Sequence, residues 1–127
     1  MTFLFDNNIS YRYARMLSAL GKDTVALRDR LPSNTTDVDV FAYLKGSDTV
    51  FVTVERRMRG RPVEVAAIKA SGVTSLFIGP FYAKLGFWPA AEWFIRRWPT
   101  IEGFALGAKK GMCALVQQNG KSRVFQL

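Results

Sequence analysis

The sequence contains no histidine and a single cysteine, Cys113. Without histidine, the chain cannot form a Ser-His-Asp triad, a Cys-His pair or a histidine-based acid–base ribonuclease site. A single cysteine allows no disulfide within the chain, and the scarcity of both residue types argues against a zinc site. Carboxylates and hard metal ions are therefore the remaining means by which this chain could act chemically on a nucleic acid.

Long apolar runs and targeting features are also missing. No segment of the 127 residues stays apolar over the length that a membrane span needs. The first ten residues lack a basic region and contain an acid at Asp6, so we expect neither a secretory signal nor a membrane-bound location. With so little cysteine, this pattern predicts a cytoplasmic protein, and the length predicts a single domain.

Acidic residues are few relative to basic ones. Ten Asp and Glu stand against 18 Lys and Arg, which gives a net charge of +8. A field of that sign favours polyanions, with RNA or DNA as the leading candidates and a membrane surface or an acidic protein behind them.

Apolar patterning over residues 1–80 predicts strands and helices in alternation. We predict strands over 2–5, 24–28, 49–54 and 73–78, and helices over 10–20, 37–45 and 62–71. Such alternation indicates βαβ units around a mainly parallel sheet, which is the α/β class.

The tail, residues 81–127, has a different pattern. Pro89 and Pro99 predict a helix that begins near Gly86 and ends before the second proline. One face of that helix carries its apolar residues: Ala90, Ala91, Phe94, Ile95 and Trp98. Asn119-Gly120 predicts a two-residue turn between strands over 112–117 and 122–127. We interpret the tail as a helix and β-hairpin extension that packs onto the core formed by residues 1–80.

Acidic side chains follow three of the four predicted core strands. Asp6, Asp29 and Glu55 come directly after a strand, and Asp37 and Asp39 open the second helix. Because the carboxyl ends of parallel strands converge at one edge of a sheet, these five acids are candidates for a common rim. Gathering like charges is costly unless a cation occupies the site, and a divalent ion with oxygen ligands is the simplest occupant.

Each acid also has a purely structural interpretation. Asp6 can form a turn with the two asparagines that follow it, and Asp37 or Thr36 can cap a helix. Asp29 can pair on the surface with a nearby arginine: Arg12, Arg28 or Arg30. The grouping of the acids, rather than any single one of them, favours a metal site.

Five short segments together resemble PIN-like domains, a family that includes the VapC-type toxins of bacterial toxin–antitoxin modules. The segments are FLFDNNIS at 3–10, ALGKDTV at 19–25, Thr36-Asp37, FVTVERR at 51–57 and ASGVT at 70–74. Their order and spacing carry the resemblance, which covers about residues 1–80 and extends loosely into the tail.

The resemblance implies a three-layer α/β/α sandwich and an endoribonuclease that uses Mg²⁺ or Mn²⁺. Asp6, Asp37 and Glu55 would be its catalytic metal ligands, with Asn8 as the small polar residue beside the first acid and Asp39 as a further candidate. Similar enzymes activate water for in-line attack and leave 5′-phosphate and 3′-hydroxyl ends. The implied partners are RNA and a cognate antitoxin, and a homodimer is an open alternative.

The chain departs from the family pattern at two positions. Family members usually have Asp where this chain has Glu55, and often carry another acid where it has Arg57. These departures support an alternative function, a PIN-like domain that binds RNA or a protein partner without cleavage. A nuclease that acts on DNA is a third possibility.

Basic residues are concentrated after Glu55, and aromatic residues are concentrated in the tail. Four arginines follow Glu55 and could hold RNA phosphates or form a solvated loop: Arg56, Arg57, Arg59 and Arg61. The tail is rich in aromatic residues, and its amphipathic helix favours packing or a partner groove over base stacking.

Overall fold

The computed structural model describes residues 1–54 and 61–127. The strands are β1 (Thr2–Phe5), β2 (Thr24–Ala26), β3 (Thr49–Val54), β4 (Thr74–Ile78), β5 (Cys113–Val116) and β6 (Ser122–Phe125). The α-helices are α1 (Tyr11–Ala19), α2 (Asp37–Leu44), α3 (Pro62–Ser71) and α4 (Phe87–Gly107), and short 3-10 turns cover Leu27–Asp29 and Pro80–Lys84.

One six-stranded sheet runs through the molecule in the order β2-β1-β3-β4-β5-β6. The pairs from β2 to β5 are parallel, and β6 pairs antiparallel with β5. The predicted α/β class and mainly parallel sheet are therefore confirmed. Strand β3 is buried along almost its whole length, as expected for an apolar strand that is covered on both faces.

Helices cover both faces of the sheet. On one face, Phe3 and Phe5 of β1 pack against α1 and α4, and the ring centroids of Phe3 and Trp98 are 5.0 Å apart. On the other face, Leu4 and Phe51 pack against α2 and α3, and the centroids of Phe41 and Phe51 are also 5.0 Å apart. This alternation along β1 forms two hydrophobic cores, so the predicted three-layer α/β/α arrangement is confirmed.

Strand β2 is shorter than the predicted 24–28. The chain turns after Ala26, and the N–H groups of Arg30 and Leu31 both donate to the carbonyl of Leu27, at 2.9 and 3.0 Å. Leu27 is buried in the core beside α2 and α3, and its burial accompanies the change from strand to 3-10 turn at this residue. Asp29 consequently belongs to a 3-10 turn and does not directly follow a strand.

The predicted end of the tail helix at Pro99 is wrong. Helix α4 continues to Gly107 with Pro99 inside it. Its buried residues recur at helical spacing on both sides of the proline, at Phe94, Trp98, Ile101 and Ala105. Packing of this stripe against the sheet and α1 offsets the hydrogen bond that proline cannot donate.

Two further predictions about the tail need correction. Ile95 is half exposed, whereas Trp93 is buried, so the apolar face of α4 is rotated from the predicted one. The hairpin loop has three residues, because Val116 pairs with Ser122 and the N–H of Gln117 donates to the carbonyl of Lys121. Gly120 supplies the positive φ, 86°, that such a loop requires at its last position.

The helices within the described ranges offer no candidate membrane span, since each is too short or too polar for one.

Candidate functional site

The candidate site lies where the strand order reverses. Strands β1 and β3 are neighbours, but α1 follows β1 onto one face while α3 follows β3 onto the other. The carboxyl ends of two such strands flank an open crevice, which is where α/β sheets of this kind bind ligands. Asp6 stands at this position, directly after β1.

Hydrogen bonds to both carboxylate oxygens hold the side chain of Asp6. The N–H of Asn7 donates to Asp6 Oδ1 at 2.7 Å, and the hydroxyl of Thr53 donates to Asp6 Oδ2 at 2.8 Å. The backbone N–H of Asp6 also continues the sheet pairing by donating to the carbonyl of Val52 at 2.8 Å. Strand β3 therefore fixes both the backbone and the side chain of this acid.

Thr53 links Asp6 to Asn8. The hydroxyl of Thr53 accepts a hydrogen bond from Asn8 Nδ2 at 2.9 Å while it donates to Asp6. Asn8 Oδ1 accepts the N–H of Val54 at 3.3 Å, and its Nδ2 also reaches the carbonyl of Val54 at 3.4 Å. Asn8 is thus hydrogen-bonded to the end of β3, and its Oδ1 is a second, longer acceptor for the Thr53 hydroxyl at 3.2 Å.

Thr53 is the functional residue that the sequence interpretation missed. Its side chain is fully buried in an apolar strand, TVFVTV, whose other interior positions are valine and phenylalanine. A buried hydroxyl needs hydrogen-bond partners, so a threonine in a buried strand two residues before the predicted ligand Glu55 could have indicated a site residue.

A cleft of about 530 Å³ opens beside Asp6. The ends of β1 and β2, the first residue of α1 and the loop after β2 form its wall, which includes Phe5, Asp6, Tyr11, Arg28 and Pro32. Among the described residues, the cleft wall therefore combines a carboxylate with a cation and an aromatic ring. A second cavity of about 410 Å³ lies beside Lys69 and Lys109, away from this edge.

Asp29 forms an ion pair with α1. Arg15 donates to both of its carboxylate oxygens, at 2.7 and 3.2 Å, in a bidentate arrangement. The hydrogen bond from Arg15 and its positive charge lower the pKa of Asp29. A surface pairing was the structural alternative for this acid, although the partner is Arg15 rather than the expected Arg12, Arg28 or Arg30.

Asp37 and Asp39 lie in the first turn of α2, and both are exposed. Thr36 caps the helix by accepting the N–H of Asp39 at 3.2 Å, so of the two expected candidates, Thr36 and Asp37, the threonine is the cap. Two carboxylates at a helix N-terminus are favourable in themselves because they face the positive end of the helix dipole. The assignment of Asp37 as a metal ligand stays a prediction.

Glu55, Arg56, Arg57 and Arg59 lie outside the described residues. Arg61 is described, and it is exposed immediately before α3. The proposed roles of these residues as a metal ligand and as RNA contacts stay predictions.

The donors at Asp6 suit a hard divalent ion. They are carboxylate oxygen atoms, the ligand type that hard divalent ions prefer. Within 1–54 and 61–127, no three Asp, Glu, His or Cys side chains are grouped closely enough to hold a metal ion. A centre with three carboxylate ligands at Asp6 would therefore have to include Glu55.

Comparison with known families places the chain in a class. A family model described as a PIN-like domain matches residues 1–80, which is more than half of the chain. The protein therefore belongs to the PIN-like domain family, whose members are generally nucleases. Searches of curated proteins and of solved structures returned no match.

Proposed function

We propose that this protein is a metal-dependent endoribonuclease that hydrolyses RNA with Mg²⁺ or Mn²⁺ held by Asp6, Asp37 and Glu55. The observation that carries the proposal is the Asp6 carboxylate, oriented by Thr53 and Asn7 at the point of strand reversal and opening on the 530 Å³ cleft. Membership of a family of nucleases supports the reaction class.

Some residues of the site orient Asp6, and others can bind the substrate. Thr53 and Asn7 hold Asp6 in one rotamer, so little conformational entropy is lost when its carboxylate binds a cation. Arg28, on the wall of the same cleft, can bind a phosphate of the substrate. A divalent ion held by Asp6, Asp37 and Glu55 would supply Lewis acidity for the hydrolysis. The absence of histidine agrees with hydrolysis that uses no histidine as general base.

We further propose that the protein is a toxin of the VapC type, which acts in the cytoplasm and is held inactive by a cognate antitoxin. The sequence resemblance supports this assignment. Expression of the chain should arrest growth, and co-expression of the product of a neighbouring gene should relieve the arrest. A homodimer is compatible with this function, and light scattering of the purified protein measures it.

Cleavage of a 5′-labelled single-stranded RNA by the purified chain tests the nuclease proposal. We expect cleavage with Mg²⁺ or Mn²⁺, none with EDTA, and products that carry 5′-phosphate ends. Loss of a metal ligand removes several kcal/mol of transition-state stabilisation, so Asp6→Asn should lower the rate at least about 100-fold. Glu92→Gln, which removes an exposed carboxylate from α4, is the matched control and should cleave like the wild type. Metal-independent cleavage, or full activity in folded Asp6→Asn, would overturn the proposal.

A second function is favoured by one observation: Glu55 replaces the Asp that the family usually carries, and Arg57 stands where the family often has a further acid. It is a PIN-like domain that binds RNA or a protein partner without cutting. RNA binding in EDTA with no cleavage under any metal would support it.

A further inference from the structure

Three arginines surround the ring of Tyr11 beside the Asp6 cleft. The guanidinium carbons of Arg28, Arg15 and Arg12 lie 4.2, 4.5 and 5.9 Å from the ring centroid, all within cation–π range. Tyr11 and Arg28 also line the cleft that contains Asp6. The cluster is therefore continuous with the candidate site.

The positive charge of this cluster is only partly compensated. Arg15 is paired with Asp29, whereas no carboxylate of the described residues forms an ion pair with Arg12 or Arg28. The hydrogen bond from Arg12, together with its charge and those of the other two arginines, lowers the pKa of Tyr11. Two guanidinium groups thus remain available to an anion at the mouth of the cleft.

Two exposed aromatic rings extend the cluster onto α4. Arg12 lies 5.6 Å from the centroid of Phe87, whose ring is 5.8 Å from that of Trp88. Phe87 is 44% exposed and Trp88 is 76% exposed. The buried Tyr13 holds Phe87 in place, because the centroids of the two stacked rings are 5.3 Å apart and the Tyr13 hydroxyl donates to the carbonyl of Phe87 at 2.7 Å.

These residues form a surface that we call the aromatic–arginine track: Arg28, Tyr11, Arg12, Phe87 and Trp88. It begins at the Asp6 cleft and alternates cations with rings. The other two tryptophans of the chain, Trp93 and Trp98, are buried, whereas Trp88 is exposed. Exposed rings interleaved with arginines that pair with no described carboxylate are the combination that binds single-stranded nucleic acids, since bases stack on rings and phosphates bind guanidinium groups.

We propose that the aromatic–arginine track binds the unpaired strand of an RNA substrate and leads it into the Asp6 cleft. Phe87 and Trp88 stack on bases, and Arg12 and Arg28 bind phosphates. A duplex keeps its bases inside the helix, so the track selects single-stranded RNA. That the track leads the RNA into the Asp6 cleft rests on the proposed function of Asp6, whereas binding of RNA to the track does not.

Binding of a fluorescently labelled 12-nucleotide single-stranded RNA, measured by anisotropy in EDTA, tests the track without cleavage. Loss of one stacked base should weaken binding at least about fivefold in Trp88→Ala. Arg12→Gln and Arg28→Gln should each weaken binding and lower the log–log salt slope by about 0.7. The controls are Leu106→Ala, an exposed apolar residue of the same helix, and Arg123→Gln, an exposed arginine on β6. Both controls should bind within about twofold of the wild type, because neither removes a predicted contact.

Tryptophan fluorescence provides a second readout. RNA should quench the emission of the wild type, and Trp88→Phe should abolish the quenching while keeping most of the affinity. A blunt RNA duplex of the same length should bind more weakly and quench less, and single-stranded DNA shows how far the 2′-hydroxyl contributes.

Wild-type affinity and salt slope in folded Trp88→Ala and Arg28→Gln would overturn the track proposal, as would equal binding of duplex and single strand. An absence of cleavage with any metal, alongside track-dependent RNA binding, would contradict the nuclease proposal alone. The two failures are therefore distinguishable.

Discussion

Thr53 shows how one buried hydroxyl can organise a site. It contacts Asp6 and Asn8 at once, and both contacts join the segment that follows β1 to β3. Because the side chain is inaccessible to water, neither partner can be replaced by solvent without opening the sheet. The orientation of Asp6 therefore depends on a residue that never touches the substrate.

We predict that Thr53→Val destabilises the protein by about 1–3 kcal/mol, because the same shape without the hydroxyl leaves Asn8 and Asp6 short of a partner. Cleavage should fall as well, since Asp6 loses an orienting donor. Urea unfolding and RNA cleavage measure the two effects. Thr53→Ser, which keeps the hydroxyl, should retain more activity than Thr53→Val. Equal activity of the two variants would show that Thr53 does not position Asp6.

Glu55 is predicted to be a ligand from its place after β3. If Glu55 is a metal ligand, its negative charge is essential, whereas a side chain shorter by one methylene group can still bind the ion. Glu55→Gln should then destroy cleavage, whereas Glu55→Asp should keep or raise it and shift the metal preference from Mn²⁺ toward Mg²⁺, which demands stricter geometry. Cleavage by the three proteins across a metal titration is the measurement. Wild-type activity in Glu55→Gln would remove this residue from the site.

The 3-10 turn after β2 is tied to α1 by the Arg15–Asp29 pair. The pKa of Asp29 is lowered in the folded protein, so the pair contributes stability above the unfolded-state carboxyl pKa, and the contribution is lost as the pH falls through the folded pKa. Asp29→Asn should therefore be slightly less stable than the wild type at neutral pH, and the difference should vanish in acid. Urea unfolding at both pH values tests this, and a stability difference that persists unchanged in acid would contradict it.

Helix α4 tolerates an interior proline because its buried stripe continues beyond it. Pro99→Ala restores a backbone donor and should raise the free energy of unfolding by about 1–3 kcal/mol. Pro62→Ala is the matched control, because Pro62 begins α3, where the missing N–H has no partner to lose. Thermal unfolding of both variants measures the difference. A destabilised Pro99→Ala would show that the proline is instead part of the packing.

At the scale of the whole molecule, the tail completes the sheet and one of its cores. Strand β5 pairs with β4, and Trp98 and Phe94 of α4 pack on Phe3 and Phe5 of β1. Residues 81–127 are therefore part of the core that buries the first strand, and the interpretation of 1–80 as a core with an added extension understates their role.

We predict that a fragment of residues 1–80 does not fold cooperatively. Removing a single large buried aromatic side chain costs about 3–5 kcal/mol, and the fragment loses both Trp98 and Phe94 from a protein whose total stability is expected to be about 5–15 kcal/mol. Circular dichroism during urea titration, with the full chain as the reference, is the measurement. A sharp transition in the fragment would mean that the tail is dispensable.

Much of the fold was predictable from the sequence because it depends on local patterns. Apolar runs, helix caps and glycines after helices predicted β1, β3, α1 and α3 to within about two residues, and the alternation predicted a parallel sheet. Composition limited the chemistry through the missing histidine, and the placement of Asp6 followed from a strand that ends in an acid.

The tertiary structure decided what depends on residues that are distant along the chain. Asp6 and Thr53 are 47 positions apart, and Tyr13 contacts Phe87 across 74, so no local pattern relates them. The same holds for Pro99, where long-range burial outweighs a local signal to end the helix. Sequence determines which side chains are available and which elements they form, whereas packing of the elements determines which side chains meet.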